Sequence, residues 1–247
     1  MNKAPKIRLY VEQPLACGQQ ILFSDEQCRY LGTVMRLQNN DEVLLFNGKD
    51  GEFVAQIAFA GKKNATAEIL RQTRAQQKNA DVWLMFAPIK KDRTDFVIEK
   101  ATELGADTIV PVITRYTISD KPRIERFRAQ AVEAAEQSRR LTVPQIAEAV
   151  KLEDLLKNWD GKRVLYYMDE SGHGIAATEA FANSKASALL IGPEGGFAAE
   201  ELALFRQCAF AQAVDLGPLI LRAETAAAAA LACWQAVSGN WKGKNNA

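Results

Sequence analysis

The chain has 247 residues and a formal net charge of +1, from 31 basic and 30 acidic side chains. Its composition, 48% hydrophobic and 25% charged, is typical of a folded globular protein and excludes a disordered or collagen-like chain. No apolar run approaches the ~18 residues that a membrane helix needs, and no signal-type apolar core follows the N-terminus, so we expect a cytoplasmic protein without a membrane partner.

The reactive residue types argue against a metal centre. The cysteines (Cys17, Cys28, Cys208 and Cys233) have no CxxC spacing, and His173 is the only histidine. We therefore predict reduced thiols and no metal site. The near-neutral charge supports a nucleic-acid partner only weakly. A basic segment, residues 114–140, carries seven Lys and Arg against four acids, a pattern that is also typical of a solvated helix face.

Residues 1–75 have the pattern of a small β-barrel. Short runs between turn residues predict strands at Ile7–Val11, Gln20–Phe23, Glu42–Phe46, Gly51–Phe59 and Ala65–Arg71. One helix is predicted at Asp25–Met35, because Ser24 and Gln27 have capping-box spacing. Many short strands that close on one another are typical of a barrel. The polar residues 71–79 are predicted to form a linker.

From Asp81 onward, strand and helix patterns alternate. Strands are predicted at Val82–Ala87, Thr108–Ile113, Arg163–Met168, Ala188–Ile191 and Ala213–Leu216. Helices are predicted at Asp92–Leu104, Arg123–Arg139, Thr178–Asn183, Ala199–Cys208 and from Thr225 to about Val237. This alternation predicts an α/β domain with a parallel sheet covered on both faces. Ligands of such sheets bind beyond the carboxyl ends of the strands.

Two loops at such carboxyl ends are rich in glycine and proline. The first loop lies within Leu189–Phe197, and the second lies within Leu216–Ala226. Glycine lets the main chain approach a ligand closely, and proline restricts the backbone before the ligand arrives. Together the loops predict a backbone-lined pocket for a polar, planar ligand such as adenine. Each loop alone is also typical of an ordinary strand-to-helix turn.

This pair of motifs resembles those of the SPOUT class of S-adenosylmethionine-dependent RNA methyltransferases. It is most similar to the family that methylates N3 of a uridine in 16S ribosomal RNA. Other segments resemble that family's remaining motifs: Ile7–Tyr10, Tyr30–Leu37, Lys100–Gly105 and Glu133–Arg140. Two positions depart from the pattern, since Tyr30 stands where a histidine is expected and Ala198 where a helix-capping serine is common.

The resemblance implies both architecture and activity. It implies a small N-terminal β-barrel (PUA-like) RNA-binding domain at residues 1–75 and a knotted, parallel-sheet SPOUT domain at residues 76–247. It further implies a homodimer with the pocket near the subunit interface, and methyl transfer from S-adenosylmethionine to a specific uridine of 16S ribosomal RNA in the small subunit. Periodicity could not reveal the trefoil knot, because knots are rare exceptions among folds.

The predicted site combines the two loops with two charged residues. The cofactor-binding residues are Leu190, Ile191, Gly192, Glu194, Gly195, Gly196, Leu216, Gly217, Leu221 and Thr225. Arg222 is a candidate catalytic residue, because a permanent cation can stabilise anionic character on the base. Glu224 is the second, because a desolvated carboxylate can act as a general base. The alternative is that Glu194, Glu224 and Thr225 cap helix N-termini, where negative charge is favourable.

RNA affinity should come from phosphate contacts over a wide surface. The candidate RNA-binding residues are Arg8, Arg36, Arg139 and Arg140. Rossmann, P-loop and nucleophile-elbow motifs are absent from the sequence, which removes the main support for those classes of enzyme. The alternative that remains is a non-catalytic RNA-binding protein that keeps the SPOUT fold, and the intact glycines of both loops argue against it.

Overall fold

The computed structural model describes residues 5, 7–61, 64–118, 121–182, 184 and 186–242. The chain divides into two compact units, one of Met1–Lys78 with Ala135–Val143 and one of Asn79–Ala134 with Pro144–Ala247. The boundary after residue 75 stays a prediction. The sequence patterns did not indicate that residues 135–143 return to the first unit.

The first unit contains five strands, all of which the sequence predicted. They are β1 (Arg8–Tyr10), β2 (Gln20–Leu22), β3 (Glu42–Phe46), β4 (Glu52–Phe59) and β5 (Ala65–Arg74). Their order in the sheet is β1-β3-β4-β5-β2, with β1 parallel to β3 and the other pairs antiparallel. β5 extends three residues beyond the predicted strand end at Arg71 and so into the predicted linker, because Arg74 still pairs with Glu52. The curled sheet encloses a core that includes Ile21, Leu45 and Ile57.

A short helical segment connects β2 to β3. It consists of α1 (Asp25–Arg29) and a π-helical turn, Tyr30–Val34, instead of the single helix predicted to Met35. The predicted capping box is confirmed: the Gln27 N–H donates to Ser24 Oγ at 3.2 Å, and the Ser24 N–H donates to Gln27 Oε1 at 3.1 Å. The buried side chains of Cys28 and Leu31 attach this segment to the core.

The second unit contains the predicted parallel sheet. Its strands are β6 (Val82–Phe86), β7 (Thr108–Ile113), β8 (Gln145–Ile146), β9 (Val150–Lys151), β10 (Val164–Met168), β11 (Ile175–Ala176), β12 (Ser187–Ile191) and β13 (Ala211–Asp215). Their order is β11-β13-β10-β12-β6-β7-β8, with β9 beside β7, and the neighbouring strands run parallel. The α/β class is therefore confirmed. The two-residue strands β8, β9 and β11 are too short to give a periodic signal.

The helices that begin in the second unit follow its strands. They are α2 (Lys91–Glu103), α3 (Ile124–Gln137), α4 (Leu152–Lys157), α5 (Ala177–Ala180), α6 (Ala199–Gln207) and α7 (Ala223–Val237). The last three residues of α3, 135–137, belong to the first unit. The short helix α4 was not predicted, and Asn183, the predicted end of α5, lies outside the described residues. Within the described ranges, no helix has the length and apolarity to cross a membrane.

The alanine run of α7 forms a packing face. Ala226, Ala227 and Ala230 are buried, and α7 packs against α2, β12 and β6. Small side chains allow helices to approach closely, so alanine here does more than favour a helical backbone. Further along α7, the buried Trp234 donates its indole N–H to Ser187 Oγ at 2.9 Å, which fixes the helix to the start of β12.

Candidate functional site

A cavity of about 750 Å³ opens at the carboxyl ends of three adjacent strands, β12, β10 and β13. Its lining comes mainly from the loops that follow these strands, within residues 168–172, 191–197 and 214–223. This is the edge at which parallel sheets bind ligands. The structure therefore brings together the two glycine-rich loops that are far apart in the sequence.

Most of the predicted cofactor-binding residues line the cavity. These are Ile191, Gly192, Glu194, Gly196, Leu216, Gly217 and Leu221, and the candidate catalytic residue Arg222 joins them. At two of these positions the backbone has a conformation that favours glycine. Gly196 has a φ of +69° and Gly217 one of +114°, a region that side chains with a Cβ rarely adopt. A Cβ on Gly196 would also lie 2.7 Å from Glu170 Oε1.

Three predicted cofactor-binding residues do not line the cavity. Leu190 is fully buried in the core, in a cluster with Met85 and Phe205, so its side chain is not a cavity wall. A Cβ on Gly195 would lie 3.5 Å from Tyr116, and therefore Gly195 faces that ring instead of the ligand space. Thr225 is exposed on the first turn of α7. The sequence could not separate these residues from their neighbours, because side-chain direction depends on the packing of the whole sheet.

A third loop, which follows β10, completes the cavity and was not predicted. It contributes Met168, Asp169, Glu170, Ser171 and Gly172. Asp169 accepts hydrogen bonds from the N–H and the Oγ–H of Ser171, at 2.9 Å and 2.8 Å, and so stabilises a tight turn. Because β10 runs parallel to β12 and β13, this loop lies at the same edge of the sheet as the glycine loops. Only the order of the strands, with β10 between β12 and β13, places it beside the glycine loops.

The lining is acidic. Among the described residues that line the cavity, four carboxylates (Asp169, Glu170, Glu194 and Asp215) stand against the single guanidinium of Arg222. Apolar side chains, among them Ile191 and Leu216, cover other parts of the wall. A cavity with this lining suits a ligand that carries net positive charge together with an apolar ring. No group of His, Cys, Asp or Glu side chains suited to hold a metal ion occurs in the described part of the chain.

Arg93 joins the two candidate carboxylates and was not predicted from sequence. It lies in the first turn of α2, where Nη1 forms an ion pair with Glu194 Oε1 and Nε lies 3.6 Å from Glu224 Oε1. The Glu224 side chain is 15% exposed, and its Oε2 is buried without a hydrogen-bond partner among the described residues. These partners are 101 and 131 positions from Arg93, so no local pattern could have revealed them.

Arg222 and Glu224 begin helix α7. Arg222 is the N-cap residue, has an extended backbone and makes no side-chain capping bond, and its exposed side chain lies at the cavity. Glu224 lies in the first turn, where a negative charge is favourable. The helix starts two residues before the predicted Thr225, so neither Glu224 nor Thr225 is its N-cap residue.

Glu201 compensates for the missing capping serine at Ala198. Its Oε2 accepts the N–H of Ala198, the N-cap of α6, and its Oε1 accepts the N–H of Arg115, both at 2.8 Å. Because Glu201 is buried, it fixes the glycine loop to the segment that follows β7. The sequence offered a signal in the three-residue spacing between Ala198 and Glu201, half of a capping box.

The structure does not support Arg8 as an RNA contact. Its Nε lies 2.6 Å from Glu52 Oε2, and its Nη1 and Nη2 donate to the carbonyl oxygens of Ala135 and Arg140 at 2.6 Å and 2.5 Å. The guanidinium also lies 3.7 Å from the centre of the Phe46 ring. Burial lowers the pKa of Arg8 below its ordinary value, although Glu52 acts in the opposite direction. Arg8 is a structural residue of the first unit.

The other predicted RNA-binding residues differ in accessibility. Arg36 and Arg139 are exposed, and both have a positive φ, +56° and +59°. Arg140 is half-buried, and its Nε donates to Thr142 Oγ1 at 2.9 Å. Arg36 and Arg139 therefore keep the accessibility that a phosphate contact requires.

Two family models match the chain. An RNA methyltransferase domain matches residues 76–235, and an RNA methyltransferase PUA domain matches residues 23–70. Among curated proteins, the ribosomal RNA small subunit methyltransferase E of Rickettsia conorii is 38% identical over 229 residues, which cover 91% of this chain and 93% of that protein. The protein of the same name from Bacillus subtilis is 29% identical over 215 residues, 81% of this chain and 84% of that protein.

Comparison with solved structures also identifies methyltransferases. A ribosomal RNA small subunit methyltransferase E from Neisseria gonorrhoeae, bound to S-adenosyl methionine, is 30% identical with a TM-score of 0.88 and covers 95% of this chain and 99% of its own. A Legionella pneumophila methyltransferase in complex with the cofactor SAM is 28% identical with a TM-score of 0.88, covering 96% and 100%. The chain therefore belongs to the ribosomal RNA small subunit methyltransferase E family, RNA methyltransferases of the SPOUT class with a PUA domain.

Proposed function

We propose that this protein transfers a methyl group from S-adenosylmethionine to N3 of a specific uridine in 16S ribosomal RNA. The observation that carries the proposal is the acidic, glycine-lined cavity at the ends of β10, β12 and β13. Family membership supports the coarser part, S-adenosylmethionine-dependent methylation of ribosomal RNA. The choice of uridine and of N3 rests on the resemblance of the motifs.

The cavity fits the cofactor in charge and in shape. S-adenosylmethionine carries a sulfonium and an ammonium against one carboxylate, so its net charge is positive, and the lining carries four carboxylates against one guanidinium. The backbone at Gly196 and Gly217 leaves space that a Cβ would obstruct or strain. Ile191, Leu216 and Leu221 supply aliphatic walls for an adenine ring. When bound, the cofactor supplies a methyl group on an electron-poor sulfur.

The chain's own charged residues then act on the base. Glu224 Oε2, which has no hydrogen-bond partner among the described residues, accepts the imide proton of the uracil ring. The exposed guanidinium of Arg222 stabilises the negative charge that this leaves on the ring. Positioning accounts for the rest of the rate enhancement, because the two glycine loops hold the reacting groups in place before the reaction.

Replacement of Arg222 tests the proposal. Arg222→Ala should lower the rate of methylation by about 100-fold, the effect of removing one preorganised donor, and leave the dissociation constant of S-adenosylmethionine within about threefold. Arg222→Lys should restore part of the rate, because a point charge lacks the planar fork. The measurements are single-turnover methylation of 16S ribosomal RNA, mass mapping of the modified uridine and calorimetry with the cofactor.

Three outcomes would contradict the proposal. A product other than N3-methyluridine would exclude the stated reaction, and normal turnover by both Arg222 variants would show that this side chain is structural. If the wild-type protein gave no heat with S-adenosylmethionine and yet bound ribosomal RNA, the alternative of a non-catalytic RNA-binding protein would be correct.

We further propose that the protein is a cytoplasmic homodimer that acts on the small ribosomal subunit. Leu219 and Ile220, at the edge of the cavity, are 76% and 82% exposed. Apolar side chains this exposed beside a ligand site are what a second subunit would cover. Light scattering should give twice the chain mass at micromolar concentration, and a monomer of full activity would contradict the dimer.

A further inference from the structure

One guanidinium connects the two signature loops of the candidate site. Arg93 forms an ion pair with Glu194, which lies in the loop after β12, and its Nε lies 3.6 Å from Glu224, in the first turn of α7. Glu194 lines the cavity, whereas Glu224 is the proposed proton acceptor. A single side chain from a third element, α2, therefore contacts a carboxylate from each loop.

The fold explains why α2 supplies this residue. β6 pairs with β12, with Phe86 opposite Ile191, so the helix that follows β6 begins beside the loop that follows β12. α2 also packs against α7, which places its first turn near Glu224. Thr94, the next residue, is buried, and its side chain exchanges hydrogen bonds with the backbone of Ile89 at 3.0 Å and 3.2 Å. The backbone at Arg93 is thus held in place.

The two oxygens of Glu224 have different surroundings. Oε1 faces Arg93, whereas Oε2 is buried without a hydrogen-bond partner among the described residues. A buried carboxylate oxygen without a partner is costly unless a ligand donates to it. Glu224 itself does not line the cavity, but Arg222, Ala223 and Ala226 beside it do, so a donor on the substrate has to approach Oε2 through this part of the wall.

We propose that Arg93 is a positioning residue for methyl transfer, an inference that rests on the proposed function. It holds Glu224 through Oε1, so that Oε2 is presented to the imide N–H of the target base. At the same time it fixes Glu194 in the wall of the cavity. The planar fork of arginine can direct separate N–H groups to two carboxylates, which the single ammonium of lysine does less well.

Lys100 provides a matched control on the same helix. It also pairs with two carboxylates, Glu99 Oε1 at 2.7 Å and Glu103 Oε1 at 3.0 Å, and these raise the pKa of Lys100. Its partners are local neighbours on α2, away from the lining of the cavity. Lys100→Gln therefore removes a cation with two acidic partners and leaves the proposed site intact.

The experiment is a double-mutant cycle between Arg93→Gln and Glu224→Gln in the full chain, with Arg93→Lys and Lys100→Gln beside it. Arg93→Gln should lower kcat by about 100-fold, the lower range of general acid–base effects, and change KM for RNA by less than about threefold. In the Glu224→Gln background the same change should lower kcat by less than about twofold, because the residue it positions is already lost. Arg93→Lys should recover part of kcat, and Lys100→Gln should retain wild-type kcat.

Binding and unfolding supply readouts that do not depend on turnover. Calorimetry should give all variants a dissociation constant for S-adenosylmethionine within about fivefold of wild type, since the glycine loops stay in place. The decreases in Tm of Arg93→Gln and Glu224→Gln should not add, because the two residues interact directly.

The inference is overturned if wild type is active and the effects of Arg93→Gln and Glu224→Gln on kcat multiply independently. It is equally overturned if Arg93→Gln and Lys100→Gln have the same small effect. Failure of the proposed function is a separate result, visible in the wild-type protein alone as the absence of N3-methyluridine in the product.

Discussion

Arginines of this chain have different roles, according to what surrounds each side chain. The Arg8 side chain is 4% exposed and holds the carboxylate of Glu52, whereas Arg36 is exposed on the same unit. A buried charge requires fixed partners, and an exposed one remains available to phosphate. Sequence alone did not separate the two, since both lie in segments that resemble motifs of one family.

The first prediction concerns the buried pair of Arg8 and Glu52. Arg8→Ala should lower the free energy of unfolding by about 3–5 kcal/mol, because it leaves the Glu52 carboxylate buried beside an empty position. Arg36→Ala, the control, should change it by less than about 0.5 kcal/mol. Urea unfolding followed by circular dichroism measures both values. A loss of RNA affinity in Arg8→Ala with unchanged stability would contradict the structural role.

At the scale of the element, the conformation of the loop between β12 and α6 depends both on its own residues and on residues elsewhere in the sequence. Its glycines and proline indicated a ligand loop from sequence alone. Its backbone is held by Glu201, which accepts N–H groups of Ala198 and Arg115, and the side chain of Glu194 within it pairs with Arg93. The sequence therefore predicted the kind of loop, and the residues that hold it came from helices packed beside it.

The second prediction concerns the backbone of that loop. Gly196→Ala should weaken S-adenosylmethionine binding by about tenfold or more, because a Cβ at a φ of +69° is strained and would lie 2.7 Å from Glu170 Oε1. Gly161→Ala is the matched control, since Gly161 has a φ of +68° and no atom within 4 Å of the added Cβ. Calorimetry with the cofactor measures the affinity, and thermal unfolding measures the strain.

The two variants separate strain from a role at the site. Both should lower Tm by a similar amount, because the backbone conformations match. If Gly161→Ala weakened cofactor binding as much as Gly196→Ala does, the effect would come from global destabilisation, and the loop would lose its assignment as the cofactor cradle.

At the scale of the whole molecule, the exposed cations of the first unit are candidates for ribosomal RNA contacts. The net charge of +1 gives little general attraction, so affinity must depend on particular basic side chains. Arg36 and Arg139 remain candidates after Arg8 is excluded, and both belong to the first unit. We propose that this unit supplies RNA affinity and that the second unit binds the cofactor.

The third prediction tests this division. Neutralising Arg36 and Arg139 together, each to Gln, should weaken RNA binding and reduce the slope of log affinity against log salt by about one unit per lost contact. Cofactor affinity should stay at the wild-type value. Lys157→Gln, an exposed cation on α4 of the second unit, is the control and should leave the salt slope within error. If replacing Lys157 weakened RNA binding as much as replacing Arg36 and Arg139, RNA would be held by nonspecific charge attraction and not by particular residues of the first unit.

The sequence by itself determined the features that depend on neighbouring residues. Apolar runs, capping residues and glycine loops act over a few positions, which is why the five strands of the first unit, the α/β alternation and both signature loops could be predicted. The resemblance of those loops was specific enough to indicate the family, which the comparisons then confirmed.

Only the tertiary structure decided which distant residues meet. The chain places β12 between β6 and β10, and this order brings the loop after β10 into the cavity and Arg93 to the carboxylates of Glu194 and Glu224. It also buries Leu190 and turns Gly195 toward Tyr116. Such contacts join residues up to 131 positions apart. They form because the whole sheet buries its apolar surface together, a cooperative property that no local window of sequence contains.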